Sequence, residues 1–180
     1  MDLGSRGAID QSLSRLVKSG RLRRLGHGLY SAIRFSDALG GAAPANVDSI
    51  IAALARRDGT RIMADGIFAA NLLGLTNAVP AKLNYVTDGH SRTLKIDGRV
   101  IRFRNAGPNT MKWAGKPAAP VVQALRWLGP RNVVQGQVAL TLNRILPNEV
   151  KRDLLDNVHD LPGWAVSVVR EIAYGQDVAA

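Results

Sequence analysis

Gln11 and Arg15 stand four residues apart and carry two side chains suited to reading base edges. An amide pairs with adenine and a guanidinium with guanine. Ser14 and Lys18 extend the same set and suit phosphate oxygens or base edges. Arg6 precedes them, and Arg21, Arg23 and Arg24 follow as cations able to neutralise phosphates, with His27 just beyond. Residues 1–34 hold seven Lys/Arg against two Asp, a net +5. The plainer reading of these residues is the solvated face of an amphipathic helix. A second basic set, Arg92, Lys95, Arg99, Arg102 and Arg104, belongs either to a wet sheet face or to a contact with nucleic acid or protein.

The elements that must position the first set run from Ser5 to Ala32. Ser5 is suited to cap a helix and Gly20 to end one in a left-handed conformation. Between them Ile9, Leu13, Leu16 and Val17 recur at i, i+4, i+7 and i+8, one apolar stripe opposite Gln11, Ser14, Arg15 and Lys18. The period then changes. Leu22, Leu25, Leu29 and Tyr30 flank a His27-Gly28 turn, the pattern of two short strands in a hairpin. A polar-faced helix followed by a basic hairpin is the second half of a winged helix-turn-helix. There the helix enters the major groove and the hairpin lies against the backbone. With Lys18, Arg23 and Arg24 on phosphates, about five or six such contacts give a log–log salt slope of about −5.

The pattern L-G-S-R-x-x-x-D-Q-x-L-S-R-L-V-x-x-G-x-L-R-R-L-x-x-G-L-Y, from Leu3 to Tyr30, resembles the DNA-binding module of AbiEi-family antitoxins of type IV toxin–antitoxin (abortive-infection) systems. A second block, A-A-N-L-L-G-L-T from Ala69 to Thr76, Pro80, and Y-V-T-D-G-H-S-R from Tyr85 to Arg92, resembles the region that follows in the same proteins. The likeness spans roughly residues 3–130. It implies a transcriptional regulator that represses its own operon through promoter repeats in double-stranded DNA and opposes a nucleotidyltransferase-like toxin. It also implies two short helices ahead of the recognition helix. Only four residues precede Ser5, so cover for Ile9, Leu13 and Leu16 is expected from elsewhere in the chain, a partner subunit or residues ahead of this start.

The expected fold class is α+β: a partial winged helix-turn-helix over residues 1–34, then a mixed α/β domain over 35–180 with a small basic sheet and C-terminal helices. Apolar residues at 46% of 180 can build a real core. The absence of cysteine excludes disulfides, thiolate nucleophiles and Cys-ligated zinc, and agrees with a reducing cytoplasm. No apolar run approaches the roughly 20 residues of a membrane span, and the start lacks a signal peptide's apolar core. A net charge of +10 favours polyanionic partners. It is concentrated in 1–34 and in 82–116, where eight Lys/Arg meet two Asp for +6, whereas 117–180 is neutral.

Residues 34–44 read as a linker, and Asn46 or Asp48 opens a helix to about Arg57 with Val47, Ile50, Ile51 and Leu54 on one face. A strand at 61–64 and a helix at 66–73 follow. Three strand-like runs then span 82–104, with Asp97-Gly98 as a two-residue hairpin signal. Residues 105–116 read as a loop anchored by Trp113. A helix ending at Gly129-Pro130 comes next, then helices over about 132–145, 148–158 and 162–174. His27, His90 and His159 have no ligand spacing, and no phosphate loop or nucleophile elbow occurs, so neither metal, cofactor nor enzyme activity is expected. Two alternatives stay open: a protein-interaction antitoxin that does not bind DNA, and a metal-dependent nuclease built from Asp65, Asp88 and Lys95. The segment Asp88-Gly89-His90-Ser91-Arg92 reads more simply as a turn.

Overall fold

A computed structural model describes residues 5–78, 81–135 and 137–175; Leu3, Gly4 and Pro80 of the motifs above lie outside them. The chain is mixed α+β and divides into two compact units, residues 1–60 with 95–99 and residues 61–94 with 100–180. The division expected after Arg34 thus falls after Thr60, and a short return of the chain at 95–99 joins the first unit.

In the first unit α1 (Arg6–Lys18) begins where the Ser5 hydroxyl accepts the Ala8 N–H at 3.4 Å. It ends in a Schellman turn: Gly20 is left-handed at φ +70°, its N–H meets the Val17 carbonyl, and the Arg21 N–H meets that of Leu16. Strands β1 (Leu22–Gly26) and β2 (Leu29–Ala32) pair antiparallel, with a bulge between Arg24 and Gly26. The expected linker is ordered instead. It forms a miniature hairpin, β3 (Phe35–Ser36) with β4 (Gly41–Ala42), because Gly40 takes the left-handed turn and the Ala43 N–H returns to the Arg34 carbonyl at 2.7 Å. Helix α2 (Val47–Asp58) is capped by the Asn46 side chain and ended by left-handed Gly59. It buries Ile50, Ile51 and Leu54.

In the second unit, β5 (Ile62–Ala64), β6 (Leu83–Thr87), β7 (Arg92–Ile96) and β8 (Arg99–Asn105) form a sheet in the order β5-β6-β8-β7. The end of the β7–β8 hairpin is the stretch counted with the first unit. β6 runs parallel to β8, so the last strand in sequence lies inside the sheet rather than at its edge, burying Ile101 and Phe103. Helix α3 (Gly66–Leu72) packs closely on α5 (Ala119–Gln135); a Cβ at Gly66 would fall 2.4 Å from that of Trp127. α5 breaks at Gly129 (φ 72°, ψ 167°), as Gly129-Pro130 implied. The helix expected over 132–145 is therefore two pieces, the end of α5 and α6 (Val138–Ile145), with Gln137 left-handed before the second. The loop expected over 105–116 contains a short helix, α4 (Pro108–Met111), and is anchored by fully buried Trp113. Helices α7 (Asn148–Asp156) and α8 (Gly163–Tyr174) complete a core of Trp113, Met111, Leu125, Leu142, Leu154 and Ile172. No described helix is long and apolar enough to cross a membrane.

Candidate nucleic-acid interface

Gln11, Ser14, Arg15 and Lys18 are all exposed, on an arc of about 100° along α1. They line one shallow depression with Asp10, and none of the four forms an ion pair among the described residues. Arg15 and Lys18 also occupy the last turn, where cations offset the carbonyl end of the helix dipole. Arg6 is exposed but stands seven residues before Leu13 and so shares its side of the helix, apart from Gln11 and Arg15. That other side is thinly covered. Leu13, Leu16 and Val17 are half-buried, Ile9 is 37% exposed, and α1 buries no residue.

The hairpin divides its cations. Arg21 and Arg24 are exposed, Arg24 donating to the nearby Gly26 carbonyl at 3.4 Å. His27 is exposed at the turn, where its carbonyl accepts from Arg57 at 2.9 Å. Arg23 departs from the expected phosphate contact. Its guanidinium lies 3.1 and 3.2 Å from the two Asp97 carboxylate oxygens and also donates to the Ala43 carbonyl, so its charge is already met. Asp97 accepts the Ala45 N–H at 2.7 Å, and Arg99 donates to the Ala45 carbonyl at 3.1 Å. The Ala45 N–H, aided by Arg23 and Arg99, holds the Asp97 carboxyl below the usual carboxylate range against the opposing effect of desolvation. Asp97 and Ala45 were not legible as partners of Arg23, because Asp97 in sequence reads only as a turn residue.

The second basic set is not one surface. Arg92 lies over the Phe103 ring, 5.1 Å from its centroid, and Arg99 is half-buried against Ala45. Lys95, Arg102 and Arg104 remain exposed, the last two projecting from β8 opposite buried Ile101 and Phe103. The carboxylates of the nuclease alternative have other partners. Asp65 caps α3 by accepting the Phe68 N–H, and Asp88 accepts both the Arg61 side chain and its N–H at 2.8 Å. Those Arg61 contacts lower the Asp88 pKa. The turn after it is closed by Asn105, whose N–H meets Ser91 Oγ at 2.8 Å and whose amide donates to the Gly89 carbonyl. Among the described residues no three His, Asp or Glu side chains converge as metal ligands do.

A family model described as a family of unknown function, DUF6088, matches residues 1–154, most of the chain. The protein belongs to the DUF6088 family. No curated protein and no solved structure matches it. The DUF6088 match takes in α1, the basic hairpin, the sheet and the Asp97 clamp, and stops before α8.

Proposed function

We propose that this DUF6088 chain is a regulator that binds duplex DNA, with α1 as recognition helix in the major groove and β1–β2 as the wing against the backbone. The observation that carries the reading is the exposed side of α1, where Gln11, Ser14, Arg15 and Lys18 are free of ion pairs among the described residues. The hairpin that follows it carries exposed Arg21, Arg24 and His27. Gln11, Ser14 and Arg15 read base edges, and Lys18, Arg21 and Arg24 contact phosphates. Arg23 does not. Its pairing with Asp97 sets the hairpin's position instead. About three phosphate contacts per chain then give a log–log salt slope near −3, shallower than the residue types alone imply.

The resemblance to AbiEi antitoxins extends the reading to a cytoplasmic repressor of its own operon that binds promoter repeats and opposes a nucleotidyltransferase-like toxin. A second reading, an antitoxin that meets a protein instead of DNA, draws on the thinly covered Ile9, Leu13, Leu16 and Val17 side of α1. Fluorescence anisotropy on a fragment of the chain's own promoter separates the two. Arg15→Ala is expected to weaken binding at least tenfold, since a good bidentate base contact is worth about 1–3 kcal/mol. Affinity within twofold of the parent, or no dependence on salt, leaves the protein-binding reading in its place.

A further inference from the structure

A groove of about 570 Å³ opens within the first unit. β2 and the residues after it line one wall, including Leu29, Tyr30 and Arg34. The other wall is one face of α2 and its cap, with Asn46, Ser49, Ala53 and Arg56 at helical spacing. Half-buried Leu25 adds apolar surface over buried Ile50, and Ala32, Ala43 and Ala45 are too small to fill the space. No Asp or Glu lines the groove. Arg34 and Arg56 are exposed, and neither meets a carboxylate among the described residues. The neighbouring Arg57 differs, being paired with Asp58 and tied to the His27 carbonyl.

The volume lies in the range of small-molecule sites, roughly 300–1,000 Å³, and the walls combine apolar surface with polar groups in comparable measure. Two guanidiniums with no carboxylate partner among the described residues select an anionic group, which their planar forks hold in paired hydrogen bonds. The volume far exceeds one phosphate ion, so the ligand has a body as well as a charge. We infer that this groove binds a small organic anion, its phosphate or carboxylate held by Arg34 and Arg56 and its flat apolar body lying along Leu25 and Tyr30. A duplex phosphate reaches the rim arginines too, but leaves the apolar walls unused. The inference does not rest on the α1 face, and its test uses no promoter DNA.

Isothermal titration of the full chain with adenosine monophosphate, salicylate and inorganic phosphate tests it, the first two separating a phosphate ester from a carboxylate. At least one organic anion is expected to bind saturably at one site per chain, at least tenfold more tightly than inorganic phosphate. Arg34→Ala with Arg56→Ala, both at exposed positions that leave the fold intact by circular dichroism, is expected to weaken that binding at least tenfold. Ala53→Leu, which places a larger side chain in the groove, is expected to do the same. Three results each overturn the proposal: no saturable binding of either organic anion, inorganic phosphate binding as tightly as both, or binding unchanged in the double variant.

Discussion

The two units carry the same net charge and hold together by different means. From the sequence each has a formal +5, so total charge does not distinguish them. In the second unit Trp113, Met111, Leu125, Leu142, Leu154 and Ile172 are each 1% exposed or less, and pairs such as Arg61–Asp88 and Lys112–Asp160 neutralise cations in place. In the first, α1 buries nothing, and among the described residues the buried apolar side chains are Leu29, Ala45, Ile50, Ile51, Leu54 and Ile96. There the polar clamp of Arg23, Asp97, Arg99 and the Ala45 backbone supplements a small core. Burial stabilises in proportion to apolar area and is indifferent to direction. A charge-assisted clamp contributes less but fixes orientation. On the proposed DNA-binding reading, a surface that meets a polyanion leaves its helix and its cations in water, and the small core of the first unit would be the structural cost.

The largest expected effect tests the packed side of that contrast. Leu154→Ala should destabilise the second unit by about 2–5 kcal/mol, the usual range for a fully buried leucine. All three tryptophans, Trp113, Trp127 and Trp164, belong to this unit, so urea unfolding followed by tryptophan fluorescence reports on it alone. A loss below about 1 kcal/mol is too small for a filled core and breaks the comparison.

An intermediate effect is expected at the clamp. Asp97 is left-handed at φ 52°, a conformation asparagine tolerates, so Asp97→Asn removes the charge and keeps the turn. Its folded pKa lies below the ordinary value of about 3.9, so its contribution is complete above that pH and is lost as the pH falls through the folded value. The Ala45 amide, which donates to this carboxylate, is the reporter. Its NMR shift should titrate with a midpoint below about 3.9. At neutral pH Asp97→Asn should speed its hydrogen exchange by about tenfold, the equivalent of about 1.4 kcal/mol, close to the lower end of the roughly 1.5–3 kcal/mol of hydrogen bonds to charged groups. A midpoint at 4 or above, or exchange unchanged in the variant, removes the clamp from the account.

Local chemistry was legible in the residues and distant partnership was not. Ser5 and Gly20 mark the ends of α1, Asn46 opens α2, Gly129 breaks α5, and Gly28 and Gly98 sit in the two hairpin turns, because each acts through its own backbone conformation or a neighbour within a few residues. Residues 34–44 read as a linker because Gly and Ala carry no periodic signal, yet glycine is what a two-residue-a-side hairpin needs. The parallel pairing of β6 with β8 left no trace in composition, since register across a crossover depends on tertiary packing. In the candidate interface Gln11, Arg15 and Lys18 were readable from helical periodicity. The role of Arg23 was not, because its carboxylate lies 74 residues away.

The smallest expected effect bears on α1 itself. Leu13 is half-buried on a helix with no buried residue, and the cap and Schellman turn that end the helix do not involve its side chain. Leu13→Ala therefore removes little covered area, and alanine's better helix propensity offsets part of the loss. Hydrogen exchange of the α1 amides should report a loss below about 1 kcal/mol, well under that of Leu154→Ala. The sedimentation coefficient should not change. A loss as large as that of Leu154→Ala, or a change in sedimentation, means that a second chain covers this side of the helix. The apolar stripe would then be a subunit contact, and Gln11, Ser14, Arg15 and Lys18 would be the outer face of an assembled helix pair. On the proposed DNA-binding reading that arrangement would present them to a groove from two copies at once, and the spacing of operator half-sites would be the next quantity to measure.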